Sequence, residues 1–163
     1  MMYNNYFYPF LFPCIPNMCD LPPTVYSLLE SIINYRKDKK NMGKYFSFDE
    51  LCYSATAEKN KIKNKPTSTE VKKNLNELID VLDIIREEWT ELCEKNNWGD
   101  GAIIVTSGYR SRALNQALNG AVNSSHMIGT TADILPKNRK NKEFFDFLDI
   151  WLLTNNIAFD QLI

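Results

Sequence analysis

Residues 106–134 contain the side chains with the clearest capacity for chemistry. His126 is the only histidine of the chain, and Asp133 follows it seven residues later. A neutral imidazole and a carboxylate are both good zinc ligands, and a catalytic zinc in general takes three protein ligands and one water. A single histidine is more often a core or surface residue, so the assignment depends on its neighbours. His126 and Asp133 are therefore candidates for two of three metal ligands.

These side chains require two strands and a loop to position them. The β-branched run at residues 102–106 predicts a short buried strand, and Arg110 follows it in a turn that leads to a helix capped by Ser111. A second strand is predicted at residues 131–135, which places Asp133 in an apolar run. A carboxylate in such a setting needs a partner. We expect that partner to be a metal or, without metal, Arg110.

Helical patterns flank this region on both sides. Residues 67–70 (TSTE) predict a capping box that opens the longest helix, whose apolar positions recur every three or four residues. The acidic residues near its end are typical of solvated surface, although paired carboxylates for glycoside hydrolysis are a conceivable rival; they are Glu87, Glu88, Glu91 and Glu94. Further elements are predicted as helices at 24–40, 46–57 (capped by Ser47) and 142–153, and as a strand at 157–163.

Composition limits the class of protein and its partners. The chain has 163 residues, a formal net charge of -1, 44% hydrophobic and 24% charged residues, which is typical of one globular domain. Because there is no overall basic charge, nucleic acid is not an expected partner. The four cysteines are expected to be reduced, although Cys14 and Cys19 with His126 offer a second, less typical metal set.

Residues 1–23 are rich in aromatics and proline. They contain no evident signal peptide or transmembrane segment, because prolines interrupt the run. We expect an arm that docks on this domain or on a second copy of the chain. Synthesis in the cytoplasm is expected.

Several stretches together resemble the zinc peptidases of metallopeptidase family fifteen, of the D-Ala-D-Ala carboxypeptidase and L-Ala-D-Glu endolysin type, which are related to hedgehog domains. The resemblance covers about residues 44–163. It rests on FSFDEL at 46–51, SATA at 54–57, Asn64 and Pro66, SGYRS at 107–111, SSH at 124–126, ADI at 132–134 and FDQLI at 159–163.

The resemblance implies an α+β fold with a small antiparallel or mixed sheet flanked by helices. The peptidase-like domain would span residues 44–163, preceded at 1–43 by the aromatic arm, a helix and a linker. The implied function is zinc-dependent hydrolysis of peptidoglycan stem peptides. The resemblance also implies that the protein, after synthesis, associates with a virion through the arm or is released to the cell wall by another factor. His126 and Asp133 would bind zinc, while Arg110 would bind a substrate carboxylate or stabilise the oxyanion. Substrate contacts are expected from Ser124, Ser125 and Tyr109, of which Tyr109 also suits packing.

The chain departs from the family pattern at three places. The family continues after FDQLI with a Trp-x-His-x-Ser strand, which supplies the third zinc ligand and, just before it, an acidic general base. The sequence ends at Ile163, so neither residue is assigned. Ser125 stands where glutamine is common, and Thr131 where a small apolar residue is usual. Two explanations stay open: a C-terminally incomplete peptidase domain, or a catalytically degenerate structural or cell-wall-binding module, as in a phage virion.

Overall fold

A computed structural model describes residues 43–155, and this part has the α+β fold that the sequence predicts. The predicted arm, the helix at 24–40 and the strand at 157–163 lie outside the described residues. No helix within residues 43–155 is both long and apolar enough to cross a membrane. The elements are α1 (Phe48–Leu51), α2 (Ala55–Lys59), α3 (Thr69–Asn96), β1 (Ile103–Ser107), α4 (Arg112–Ala117), a 3₁₀ turn (Ser125–Met127), β2 (Asp133–Pro136) and α5 (Asn141–Thr154).

Helix α3 supplies one long side of the hydrophobic core. Its apolar face packs against α5, and the ring centroids of Trp89 and Phe144 are 5.0 Å apart. The buried apolar residues of α3 recur at helical spacing, as predicted, and are Leu75, Ile79, Leu82, Ile85, Trp89 and Cys93. Burial of this face stabilises the helix more than its cap does. Ser68 occupies the N-cap position and its side chain makes no capping hydrogen bond, so the predicted capping box is wrong.

The segment before α3 forms two short helices, where one was predicted. Ser47 caps α1 by accepting a hydrogen bond from the Glu50 N–H, and Ser54 caps α2 in the same way from the Ala57 N–H. A serine that caps a helix holds its own backbone in an extended conformation, so Ser54 ends any continuous helix there. The break turns the chain back, and Leu51 becomes fully buried.

A buried carboxylate on α3 fixes the start of the domain. Asp83 accepts three backbone hydrogen bonds, from the N–H groups of Lys44 at 2.8 Å, Tyr45 at 3.0 Å and Phe46 at 3.1 Å. Only 7% of Asp83 is exposed, so these bonds replace the water that the carboxylate loses. Phe46, which is also buried, is thereby held in the core.

The sheet has two antiparallel strands among the described residues, and its register is irregular at one point. Val105 pairs with Ile134, but the next pair is Ser107 with Asp133, which leaves Thr106 as an extra residue on β1. This arrangement is a β-bulge, a feature that redirects side chains at the end of a sheet. The Thr106 hydroxyl donates to the Asp133 carbonyl oxygen at 3.1 Å. As a result, Ser107 lies opposite Asp133.

Candidate metal centre

The turn after β1 lies against the end of α1. A Cβ atom on Gly108 would be 2.3 Å from the Leu51 carbonyl oxygen, so no larger residue fits at this position without movement of the backbone. The Tyr109 N–H donates to that same oxygen at 2.7 Å. Because Leu51 is fully buried, this contact fixes the turn to the core of the domain.

The same turn orients His126. The Nδ1 atom of His126 lies 2.7 Å from the Gly108 carbonyl oxygen, and the Arg110 N–H donates to the His126 carbonyl oxygen at 3.1 Å. A carbonyl oxygen only accepts, so Nδ1 carries the proton of this hydrogen bond. In the neutral ring, Nε2 then carries the free lone pair. A hydrogen bond from one ring nitrogen to a backbone carbonyl is the usual support of a metal-binding histidine.

Asp133 lies next to this lone pair. Its Oδ1 atom is 3.5 Å from His126 Nε2, and its Oδ2 atom accepts from an Arg110 terminal nitrogen at 3.1 Å. The Asp133 side chain is 51% exposed, whereas the His126 side chain is 10% exposed. The apolar setting predicted for Asp133 is therefore wrong, because β2 begins at this residue and its side chain reaches the edge of the domain. The pairing with Arg110 predicted for the metal-free state is confirmed.

Ser107 is a contributor to the site that the sequence reasoning missed. Its hydroxyl oxygen accepts from Arg110 Nε at 2.9 Å, so the guanidinium is held by Ser107 on one side and by Asp133 on the other. The bulge at Thr106 allows this arrangement, because it places Ser107 opposite Asp133. The residue occurs within the SGYRS stretch, but no pattern in the sequence indicates its contact with Arg110.

The side chain of Asn64 also supports the turn that carries Arg110. Its side-chain nitrogen donates to the Cys52 carbonyl oxygen at 2.8 Å and the Tyr109 carbonyl oxygen at 2.9 Å. Its side-chain oxygen accepts from the Ser111 N–H at 2.7 Å. Asn64 is buried, and its amide thus bonds to backbone on both sides of Arg110. The sequence singled out Asn64 only as part of the resemblance, without a structural role.

The loop that carries His126 is closed by a pair of hydroxyl groups. The Thr131 hydroxyl donates to the Ser125 hydroxyl oxygen at 2.6 Å, which joins the residue before His126 to the start of the segment that leads to Asp133. Gly129 lies between Ser125 and Thr131 in the sequence and has a φ of 77°. A Cβ atom at this position would lie 2.9 Å from Leu75 Cγ. The loop is therefore packed directly on α3. Ser125 and Thr131, both departures from the family pattern, contact each other.

Tyr109 and Ser124 are the remaining predicted site residues among those that the structure describes. Tyr109 is half-buried against the core, and burial raises the pKa of its hydroxyl above the ordinary value. Ser124 is the N-cap residue of the 3₁₀ turn and makes no side-chain capping bond there. Substrate contacts by these two residues and by Ser125 remain predictions. Cys14 and Cys19 lie outside the described residues.

The acidic residues at the end of α3 are not all free in solvent. Glu88 accepts a hydrogen bond from the Trp151 indole at 2.6 Å, and Glu87 forms an ion pair with Lys44 at 3.1 Å. Both contacts join α3 to another part of the domain. The prediction of a solvated surface is confirmed for Glu88, Glu91 and Glu94, which are exposed, whereas Glu87 is partly buried.

The donor set agrees in chemistry with a zinc site but is incomplete in number. His126 offers an imidazole nitrogen and Asp133 a carboxylate oxygen, and these two atoms are 3.5 Å apart. Both are typical zinc ligands. Among residues 43–155, no three side chains of histidine, cysteine, aspartate or glutamate come together as a possible metal site. The described part of the chain thus provides two donors.

Comparison with known proteins supplies a family. The family model described as Peptidase M15 matches residues 44–151, which is more than half of the 163 residues. The matched range includes the β1 turn, the histidine loop and Asp133. Searches of curated proteins and of solved structures each found no match.

Proposed function

Because the chain belongs to the Peptidase M15 family, whose peptidases are in general zinc-dependent, we propose that it binds zinc through His126 and Asp133 and hydrolyses peptide bonds in peptidoglycan stem peptides. The endolysin or carboxypeptidase type of cleavage is part of this proposal. Arg110 is the proposed substrate-binding and charge-stabilising residue.

The observation that carries the proposal is the orientation of His126. Its Nδ1 atom is engaged by the Gly108 carbonyl oxygen, and its Nε2 atom is 3.5 Å from an Asp133 oxygen. An imidazole lone pair and a carboxylate oxygen this close repel each other unless a proton or a metal ion lies between them, so the pair suits a bound cation. Two ligand atoms of the right types thus face one another where solvent has access.

Each of these side chains has a distinct task. Zinc held by His126 and Asp133 would supply Lewis acidity to the scissile carbonyl and to a bound water. His126 is held in place by the hydrogen bond from its Nδ1 to the Gly108 carbonyl oxygen, which leaves Nε2 as the ring atom that would bind the metal. Arg110 keeps one hydrogen bond to Ser107, which aims its outer nitrogens at the site. A guanidinium held in this way can bind a substrate carboxylate or the negative charge that develops on the carbonyl oxygen.

The second candidate is a non-catalytic structural or cell-wall-binding module. The observation in its favour is that the described residues bring together only two metal donors. The pair of Arg110 and Asp133 at 3.1 Å also satisfies the carboxylate without metal. In this alternative the domain would retain the fold of the family and bind the same polymer without cleaving it.

The test combines zinc affinity with release of amino groups from peptidoglycan. Wild type, His126→Ala and Asp133→Asn are compared with Asp146→Asn, which removes an exposed carboxylate on α5 and so matches the charge change of Asp133→Asn. The proposal expects zinc binding and hydrolysis in wild type and in Asp146→Asn, with both lost in the two site variants. Equal zinc affinity in wild type and His126→Ala would contradict it. Binding to peptidoglycan without hydrolysis by wild type would favour the module.

A further inference from the structure

A row of lysines follows α2 and is not part of the site described above. Residues 59–65 read KNKIKNK, with a lysine at every second position. From residue 61 to residue 66 exposure alternates, so that every lysine is exposed and the residues between them turn inward. The alternation starts only at Lys61, because Lys59 is the last residue of α2 and Lys61 has a left-handed backbone. We call this row the lysine ridge, defined as Lys59, Lys61, Lys63 and Lys65.

The ridge is held rigidly at both ends. The end of α2 is closed by Lys61, whose φ of 54° is left-handed, and by a hydrogen bond from the Ile62 N–H to the Ala57 carbonyl oxygen at 2.8 Å. Further along, Asn64 and Pro66 are buried. The three hydrogen bonds of Asn64 fix the backbone between Lys63 and Lys65. Because the backbone is fixed, a partner would not have to order this part of the loop on binding.

The positive charge of the ridge is largely uncompensated within residues 43–155. Lys65 is 3.4 Å from Asp49, but both side chains are mostly exposed, so this pair is weak. The other three lysines have no ion pair with any described residue. Glu58 is the one acidic residue adjacent in sequence to the ridge. The chain as a whole has a net charge of -1, so the ridge is a local basic surface on a slightly acidic protein.

The ridge is directly connected to the candidate metal centre. Asn64, which lies between two of its lysines, bonds to the Tyr109 carbonyl oxygen and to the Ser111 N–H. These two backbone groups flank Arg110. The backbone of the ridge and the turn that carries Arg110 are thus joined by one buried side chain.

We propose that the lysine ridge binds the anionic phosphodiester polymer that is attached to peptidoglycan, and so holds the domain on its substrate. This inference rests on the proposed function for the choice of polymer. Four exposed ammonium groups on a short, fixed stretch of backbone suit a linear chain of repeating phosphates, and such binding is electrostatic and salt-dependent. Single-stranded nucleic acid is disfavoured, because no aromatic residue alternates with the lysines to stack on bases. A lipid surface is disfavoured, because no exposed apolar side chain lies within residues 59–65.

The experiment measures binding of the full chain to soluble poly(glycerol phosphate), and to sacculi before and after removal of their phosphodiester polymer. The test variant is Lys59→Gln/Lys61→Gln/Lys63→Gln. The control is Lys95→Gln/Lys137→Gln/Lys142→Gln, which removes the same amount of charge from other elements. We expect affinity to fall about 100-fold at low salt in the test variant, since each lysine near an anionic surface contributes about fivefold. The control should change it less than about threefold.

Salt dependence and two further ligands complete the test. The slope of log affinity against log salt should decrease by about two in the test variant, as expected for the loss of three phosphate contacts. Equal loss in both triple variants, or equal binding to stripped and intact sacculi, would overturn the proposal. Tighter ridge-dependent binding to a single-stranded oligonucleotide or to phosphatidylglycerol vesicles would overturn it in favour of that partner.

Cleavage of a soluble stem peptide separates this proposal from the proposed function. Such a peptide has no phosphodiester polymer, so the test variant should cleave it at the wild-type rate. If wild type cleaves nothing but binds the polymer through the ridge, the peptidase proposal fails and the ridge proposal stands. If wild type cleaves the peptide but the ridge variant binds the polymer as well as wild type does, the ridge proposal fails alone.

Discussion

Two aspartates of this domain show how surroundings decide what a carboxylate does. Asp83 is buried on α3 and accepts three backbone hydrogen bonds. Asp133 is half-exposed at the start of β2, where one oxygen is bound by Arg110 and the other lies near His126 Nε2. The buried carboxylate is bound by three backbone donors, whereas the half-exposed one has one side-chain cation and one imidazole nitrogen as neighbours.

This difference predicts that Asp83 stabilises the fold and that Asp133 binds a metal. A carboxylate with three backbone donors in a buried position has little capacity to bind anything else, and its loss leaves those donors unpaired. A carboxylate beside an imidazole lone pair can exchange its arginine for a metal ion at small cost to the fold. Substitution should therefore affect stability at Asp83 and metal binding at Asp133.

Asp83→Ala should give the largest loss of stability. Three N–H groups at the start of the domain would lose a charged acceptor, and Phe46 would lose its anchor, so the free energy of unfolding should fall by about 3–4 kcal/mol. Urea denaturation measures this change. Asp146→Ala, at an exposed position on α5, should stay within about 0.5 kcal/mol of wild type. A loss below about 1 kcal/mol in Asp83→Ala would remove the structural distinction between the two aspartates.

Asp133→Asn should have the opposite profile. Zinc affinity should fall at least about 100-fold, since loss of a direct ligand should cost at least as much as loss of a residue that supports one. The free energy of unfolding should change by less than about 1 kcal/mol, because the ion pair with Arg110 is partly exposed. Zinc titration and urea denaturation of the same protein samples would measure both. Loss of stability without loss of zinc affinity would show that Asp133 resembles Asp83 after all.

The buried thiol of Cys52 makes the stability of the domain depend on pH. Burial, aided by the negative charge of Asp49, raises the pKa of this thiol from about 9 to about 11. An acid whose pKa is raised by folding adds stability below its unfolded pKa and loses it as pH rises through the folded value. Wild type should therefore lose about 2 kcal/mol more than Cys52→Ala between about pH 9 and pH 11. Parallel pH profiles of the two proteins in urea denaturation would contradict burial of the thiol.

Thr131→Val should give the smallest change in stability and in zinc affinity. It tests how firmly the loop that carries His126 is held. The substitution keeps the shape of the side chain and removes its hydrogen bond to Ser125, which should cost about 1 kcal/mol of stability. Zinc affinity should fall less than about tenfold, since Thr131 acts on the ligands only through the loop. Thr131→Ser, which retains the hydroxyl, should restore zinc affinity in the same titration. Equal damage by serine and valine would show that the methyl group, and not the hydroxyl, matters.

The sequence predicted those parts of the fold that repeat a signal over many residues. The apolar period of α3 extends across its 28 residues and survives a wrong assignment of its cap. The strand, turn and helix around Arg110 were predicted from short but mutually consistent signals, with Ser111 as an observed cap. The family membership indicated by the quoted stretches is also confirmed.

The contacts that depend on distant residues were not predictable. Asp83 interrupts an apolar run, VLDII, and this interruption is the one signal of its buried role that the sequence contains. Its three partners lie 37 to 39 residues away, and no local pattern indicates them. The same holds for Ser107 and for the side-chain bonds of Asn64, which form only after the turn is packed against α1.

The bulge at Thr106 divides this region into a part that can vary in length during evolution and a part that cannot. Loss of Thr106 would leave Val105 opposite Ile134 and Ser107 opposite Asp133, whereas an insertion or deletion of one residue between Ser107 and Arg110 would separate Arg110 from its two supports. Related sequences that keep the function should therefore align without gaps from Ser107 to Arg110, even where their residue types differ. A gap in that interval would be a sign of lost function that no comparison of residue identities alone would reveal.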